Sequence, residues 1–106
     1  MEKPNLTYIE SMSGGDKAFE EKLLSIIKTE FPQEKETYYN NLADKNFKET
    51  AENVHKLKHK ISILGLEKSY KVAVAFENNL LQGNTDLSEE FESILTNITN
   101  YLDQQP

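Results

Sequence analysis

Apolar side chains recur along this chain at spacings of three and four residues, the period that gathers them on one face of an α-helix. The first such segment is short: Asn5 is placed to cap a helix over 6–12, in which Leu6 and Ile9 form little more than a lid. Gly14-Gly15 ends it, and Asp16 is placed to cap a long second helix with Phe19, Leu23, Ile26, Ile27 and Phe31 on one face. Pro32 removes an amide donor and crowds the preceding turn, so a kink or short break is expected there. Tyr38 and Leu42 keep the same phase, which predicts that the element resumes as far as about Asp44. Asn46 with Glu49 has the spacing of a capping box, opening a third helix with Phe47, Val54, Leu57, Ile61 and Leu64 inward and Gly65 at its end. A fourth helix is expected over 67–82 with Tyr70, Ala73, Phe76, Leu80 and Leu81 inward. After the Gly83-Asn84 turn, Asp86 with Glu89 has capping-box spacing for the fifth. Its stripe of Leu87, Phe91, Ile94, Leu95, Ile98 and Leu102 is the cleanest in the chain, and residues 103–106 are expected to fray.

Four substantial amphipathic helices on short connections fold most simply as antiparallel neighbours. The expected class is therefore all-α: an up-down-up-down four-helix bundle with a short N-terminal lid helix. No stretch reads as a strand, and at 106 residues a single domain over 1–106 is expected. The longest apolar run, Val72 to Phe76, is five residues, far below the roughly 20 that span a bilayer. Met1-Glu2-Lys3-Pro4 is polar and does not read as a signal peptide, so a cytoplasmic location with no membrane partner is expected. The chain has no cysteine, which excludes disulfides, thiolate catalysis and sulfur-based zinc sites.

Charge sharpens the picture. A net charge of −6 argues against a nucleic-acid partner, whose phosphates demand a basic footprint. Residues 1–44 hold five lysines against nine acids and residues 72–106 hold six acids and no lysine, whereas residues 45–71 hold seven lysines against three acids. The basic surplus is thus confined to the segment around the third helix and the start of the fourth. A lysine-rich solvated face is the ordinary reading of such a run. Its coincidence with both of the chain's histidines gives it a second one, the steering of a partner with an acidic pocket.

Those histidines lie in the stretch from Val54 to Gly65. At 100° per residue His55 projects about 120° from the middle of the apolar stripe, and His59 about 40° further. Both imidazoles are expected at the surface. Lys58, three residues after His55, is expected one turn along on the same side, within reach of a group carried by the imidazole. Histidine ordinarily titrates near 6.5, so an exposed imidazole is mostly neutral and nucleophilic at neutral pH and suits a phosphoryl carrier.

The order His55, Leu57, Lys58, Leu64, Gly65 resembles the motif of histidine phosphotransfer domains, the helical carriers of two-component phosphorelays, which reads His-x-Leu-Lys-Gly and then Leu-Gly. Five positions match, and His59 stands where the family usually has glycine. Ser13-Gly14-Gly15-Asp16 resembles the family's first turn, and the spacing of the apolar segments extends the resemblance over essentially the whole chain. It implies that His55 accepts a phosphoryl group from a receiver-domain aspartate and passes it to another, with Lys58 stabilising the phosphate. Leu57, Leu64 and Gly65 would be structural members of the motif, and Lys56, His59, Ser62, Ile63 and Leu66 would line the face that docks partners. The implied partners are response-regulator receiver domains and a hybrid sensor kinase. The receiver supplies its own Mg²⁺, so no cofactor is expected here, and with no ATP-binding signature the chain is a carrier rather than an enzyme.

His59 admits three readings: a tolerated surface residue, which is favoured because its ring can turn outward, a second donor to the phosphate, or an obstacle to docking. If it obstructs, the alternative function is a phosphorylation-independent helical module that docks receivers or kinases. His55 and His59 also have the i, i+4 spacing of a metal chelate, with Glu52 a possible third group, but two imidazoles do not complete a protein site and none is expected. The remaining reading is that both histidines decorate a solvated helix face.

Overall fold

The computed structural model describes residues 2–105, and among these every regular element is an α-helix. Helix α1 spans Thr7–Ser13, α2 Lys17–Ala43, α3 Phe47–Ile63, α4 Glu67–Leu81 and α5 Ser88–Asp103. Helix α3 packs between α2 and α4, α5 returns against α4 and α2, and α1 lies on α2. The result is the expected four-helix bundle with a short lid helix. At 27 residues α2 is roughly 40 Å long at 1.5 Å per residue, which accounts for the 43 Å long axis of the molecule.

Pro32 does not break α2. Its ring is on the exposed side and it deletes a single amide donor, while Phe31 and Tyr38, both fully buried, hold the helix on either side of it in one core stripe. Asp16 caps this helix as expected, its carboxylate accepting from the Phe19 amide at 3.2 Å. The other expected caps are replaced by different chemistry. Asn46 stands at the N-cap of α3 without a side-chain bond. Asp86 does not cap α5, because Leu87 takes the N-cap position at φ 80° with its side chain packed against the core, and the Asp86 amide turns to Asn84 Oδ1 at 2.8 Å. Helix α1 starts at Thr7, one residue later than expected, with Leu6 at its N-cap; Asn5 Oδ1 still accepts from the Thr7 amide at 3.1 Å, and Ile9 is a buried core residue rather than a loose lid.

The core draws on every helix. Val54, Leu57, Ile61 and Leu64 from α3 and its cap meet Ala73, Phe76 and Leu80 of α4 and Phe91, Ile94, Leu95, Ile98 and Leu102 of α5. Tyr38, Phe76 and Phe91 form an aromatic node, with Tyr38 centred 6.2 Å from Phe76 and 5.2 Å from Phe91. The Tyr38 hydroxyl donates to Glu92 at 3.1 Å, and burial together with that carboxylate raises it far above the ordinary tyrosine range. Four expected core residues are instead exposed: Phe19, Ile26, Tyr70 and Leu81. On α4 the buried stripe runs Leu66, Ser69, Ala73, Phe76, Leu80, one residue out of phase with both Tyr70 and Leu81.

The chain entry is tied down. The Glu2 carboxylate accepts from the Lys68 and Ser69 amides at 2.9 and 2.8 Å, satisfying two of the donors left open at the start of α4. Asn97 Nδ2 donates to the Glu2 carbonyl at 2.8 Å, and the Asn5 amide donates to the Leu64 carbonyl at 2.9 Å. Of the tail expected to fray, Asp103 is helical and the Gln105 carbonyl accepts from Lys28 Nζ at 2.8 Å. Met1 and Pro106, named in the expectations about the two ends, lie outside the described residues.

Candidate functional site

His55 lies midway along α3, one turn on from Ala51 and turned away from the buried Val54, Leu57 and Ile61, and a little over half of its side chain is exposed. Burial of that stripe against α2 and α4 fixes the helix rotation, so it also fixes the direction in which the imidazole projects. A further lock is the half-buried Asn41 Nδ2 to Asn53 Oδ1 bond at 2.6 Å, which ties α2 to α3 two residues before His55.

Helix α4 contributes a residue that local spacing did not reveal. Glu77 presents Oε2 to His55 Nδ1 at 3.2 Å and Oε1 to Lys58 Nζ at 3.0 Å. Lys58 and Glu77 are both largely buried, at 14% and 18% side-chain exposure. An ionised carboxylate only accepts, so Nδ1 is the protonated nitrogen, and in the neutral ring Nε2 holds the free lone pair. The nucleophilic nitrogen therefore points away from Glu77. Lys58 also sits over the ring of Tyr70, 5.9 Å from its centroid, which gives that exposed aromatic a role beside the site instead of in the core. Glu77 is 19 residues beyond Lys58, and only its position on the packed face of α4 marks it.

His59 is exposed one turn along α3, its ring edge-on to that of His55 with centroids 5.0 Å apart. Lys56 and Ser62 are exposed and Ile63 is half-buried, so these three remain available to a partner. Leu66 does not: it is fully buried as the first member of the α4 stripe and offers no docking surface. Leu57 and Leu64 are fully buried, and Gly65 turns the chain at φ 78°. Lys60, on the flank facing α2, is drawn down to Glu30 and Glu34 at 3.0 Å each, which withdraws its charge from the face around His55. An open depression beside the imidazole is lined by Ala51, Glu52, His55, Lys56, Glu77 and Leu81. Among the described residues no group of three or more histidine and carboxylate side chains is placed to hold a metal ion.

The arrangement is an exposed imidazole, oriented through one nitrogen by a carboxylate, with a cation on that carboxylate's other oxygen. With the ring neutral, Nε2 offers its lone pair to solvent with the Lys58 ammonium close by, which suits transient bonding to an anionic electrophile. Among the described residues no helix is long and apolar enough to cross a membrane. The family model described as Hpt domain matches residues 22–105, from the first turns of α2 to the end of α5. Comparison with curated proteins and with solved structures gives no match.

Proposed function

The chain belongs to the Hpt domain family, phosphocarrier modules of two-component phosphorelays, and on that premise we propose that His55 is the residue that carries the phosphoryl group. In this reading Nε2 attacks the phosphorus of a receiver's aspartyl phosphate. The N–P bond forms as the P–O bond to the aspartate breaks, and the aspartate leaves as a carboxylate. The ring becomes cationic as it acquires the phosphoryl group, and Glu77, holding the Nδ1 proton, stabilises that charge. Return of the group to a second receiver reverses these steps.

The single observation that supports this assignment is the shared grip of Glu77 on His55 Nδ1 and Lys58 Nζ. It orients the imidazole and stores a cation next to it. Lys58 moves toward the equatorial oxygens when phosphate arrives, a short swing for a flexible ammonium. The receiver brings its own Mg²⁺, and the lysines of residues 45–71, with Lys48 and Lys56 exposed, steer its acidic pocket toward α3. His59, Ser62 and Ile63 complete the docking face. In this reading the chain works in the cytoplasm, alongside partners of this kind.

Phosphoryl transfer from an acetyl-phosphate-charged receiver tests the proposal. Acid-labile, base-stable labelling of the wild type and none of His55→Ala is the expected result, and labelling retained by the variant overturns it. A second reading has its own observation, the His59 ring pressed edge-on against His55 where relatives usually have glycine. If that ring obstructs docking, the protein binds receivers without exchanging phosphate, and binding without labelling in the same experiment identifies it.

A further inference from the structure

His59 distinguishes this chain from the motif it otherwise resembles, and three features of its placement point the same way. First, His55 and His59 stand at i and i+4 on one helix, the spacing at which two imidazoles chelate one ion. Second, the ring separation fits. An ion bound at about 2.1 Å from a ring nitrogen lies roughly 3.2 Å from that ring's centroid, and two such rings subtending about 100° at the ion have centroids about 5 Å apart. The observed separation is 5.0 Å. Third, the outer support is already built: metal-bound histidines typically donate their second N–H to a carboxylate, as His55 Nδ1 does to Glu77.

We propose that His55 Nε2 and the His59 imidazole form a two-histidine site for a divalent transition ion, of the Cu²⁺, Ni²⁺ or Zn²⁺ class, and that its occupation competes with phosphorylation of His55. Imidazole nitrogen suits these borderline ions and not Mg²⁺ or Ca²⁺, which demand oxygen. With only two protein ligands, water completes the coordination sphere, so the ion exchanges rather than acting as a structural centre. Lys58, the cation tied to this site, is already paired with Glu77, which lowers the repulsion an incoming ion meets. Competition follows from valence: the same Nε2 lone pair makes either the metal bond or the N–P bond. That consequence rests on His55 as the phosphoryl carrier, while the binding itself does not.

Titration of the full chain with NiCl₂ by calorimetry decides the site. The expected result is one ion per chain in the wild type and at least a tenfold loss of affinity in His59→Ala and in His55→Ala, each variant retaining wild-type helicity by circular dichroism. Unchanged affinity in His59→Ala overturns the proposal, as does binding that survives both substitutions. Competition is read separately with phosphoramidate, a small P–N donor that needs no receiver and hence no receiver-bound metal. Saturating Ni²⁺ is expected to slow labelling of the wild type at least fivefold and to leave the rate of His59→Ala at its own metal-free value. Undiminished labelling of metal-saturated wild type overturns the competition. Failure to label at all in the absence of metal counts against the phosphocarrier reading, and the titration still decides the site.

Discussion

Glu77 Oε2 lies 3.2 Å from His55 Nδ1 although the two residues are 22 apart in sequence. The contact exists only because α4 packs along α3 with Ala73, Phe76 and Leu80 turned into the core, which leaves Glu77 at the seam between the helices. A carboxylate in that position sets the tautomer of the imidazole and holds Lys58 beside it.

Replacing Glu77 with Ala is therefore expected to slow phosphoryl acceptance by about 10²-fold, the low end of what a positioned proton-holding group contributes. Single-turnover transfer from a charged receiver measures the rate. Long-range ¹H–¹⁵N spectra of the imidazoles report the tautomer, which should move from Nδ1–H toward a mixture in the variant. A slowed rate with an unchanged tautomer would assign Glu77 a purely structural part.

For Lys58→Ala, transfer is expected to fall by about tenfold, less than the loss of a fully buried oxyanion donor because part of the site is solvated. The same substitution leaves one Glu77 oxygen unpaired in a largely buried place, at a cost of about 1–2 kcal/mol. Urea unfolding measures the second effect independently of the first. An unaltered transfer time course would remove Lys58 from the mechanism.

Gly65 turns the chain at φ 78°, and a Cβ placed there would come within 2.6 Å of the Asn5 side chain, which is engaged with the Thr7 amide at 3.1 Å. Gly65→Ala thus combines a left-handed backbone penalty with displacement of Asn5, and is expected to destabilise by about 1–3 kcal/mol. In the double variant Asn5→Gly/Gly65→Ala the steric part disappears and only the backbone part remains. A double-mutant cycle with no coupling between the two positions would show that the contact is not felt.

The N-terminal arm should respond to pH through Glu2. Burial alone raises its carboxyl, but the amide hydrogen bonds from Lys68 and Ser69, with the nearby Lys68 charge, outweigh burial and hold it below its ordinary value of 4.5. A carboxyl depressed in the folded state contributes stability that is complete above the unfolded value and is lost as pH falls through the folded one. Hydrogen exchange at the Lys68 and Ser69 amides is expected to quicken over that acidic window, and Glu2→Gln is expected to flatten the response. Amides equally protected on both sides of the window would refute the arm's dependence on this charge.

Much of this protein is legible along the chain. The three-and-four period of Val54, Leu57, Ile61 and Leu64 determines both the helix and, by exclusion, the exposure of His55 and His59, because burying one face of a helix commits the other to solvent. The same logic marks Asp16 as a cap and Phe91 to Leu102 as a core stripe. What the pattern did not decide is which of two adjacent positions turns inward, as between Ser69 and Tyr70 or Leu80 and Leu81, since the two project about 100° apart and the neighbouring helices set the rotation that buries one and exposes the other. Nor did it reveal partners distant in sequence: Glu77 for His55 and Lys58, or Glu2 for the start of α4. Spacing along a helix is a local geometric rule, whereas those contacts join helices, and only their packing brings the groups within hydrogen-bond reach.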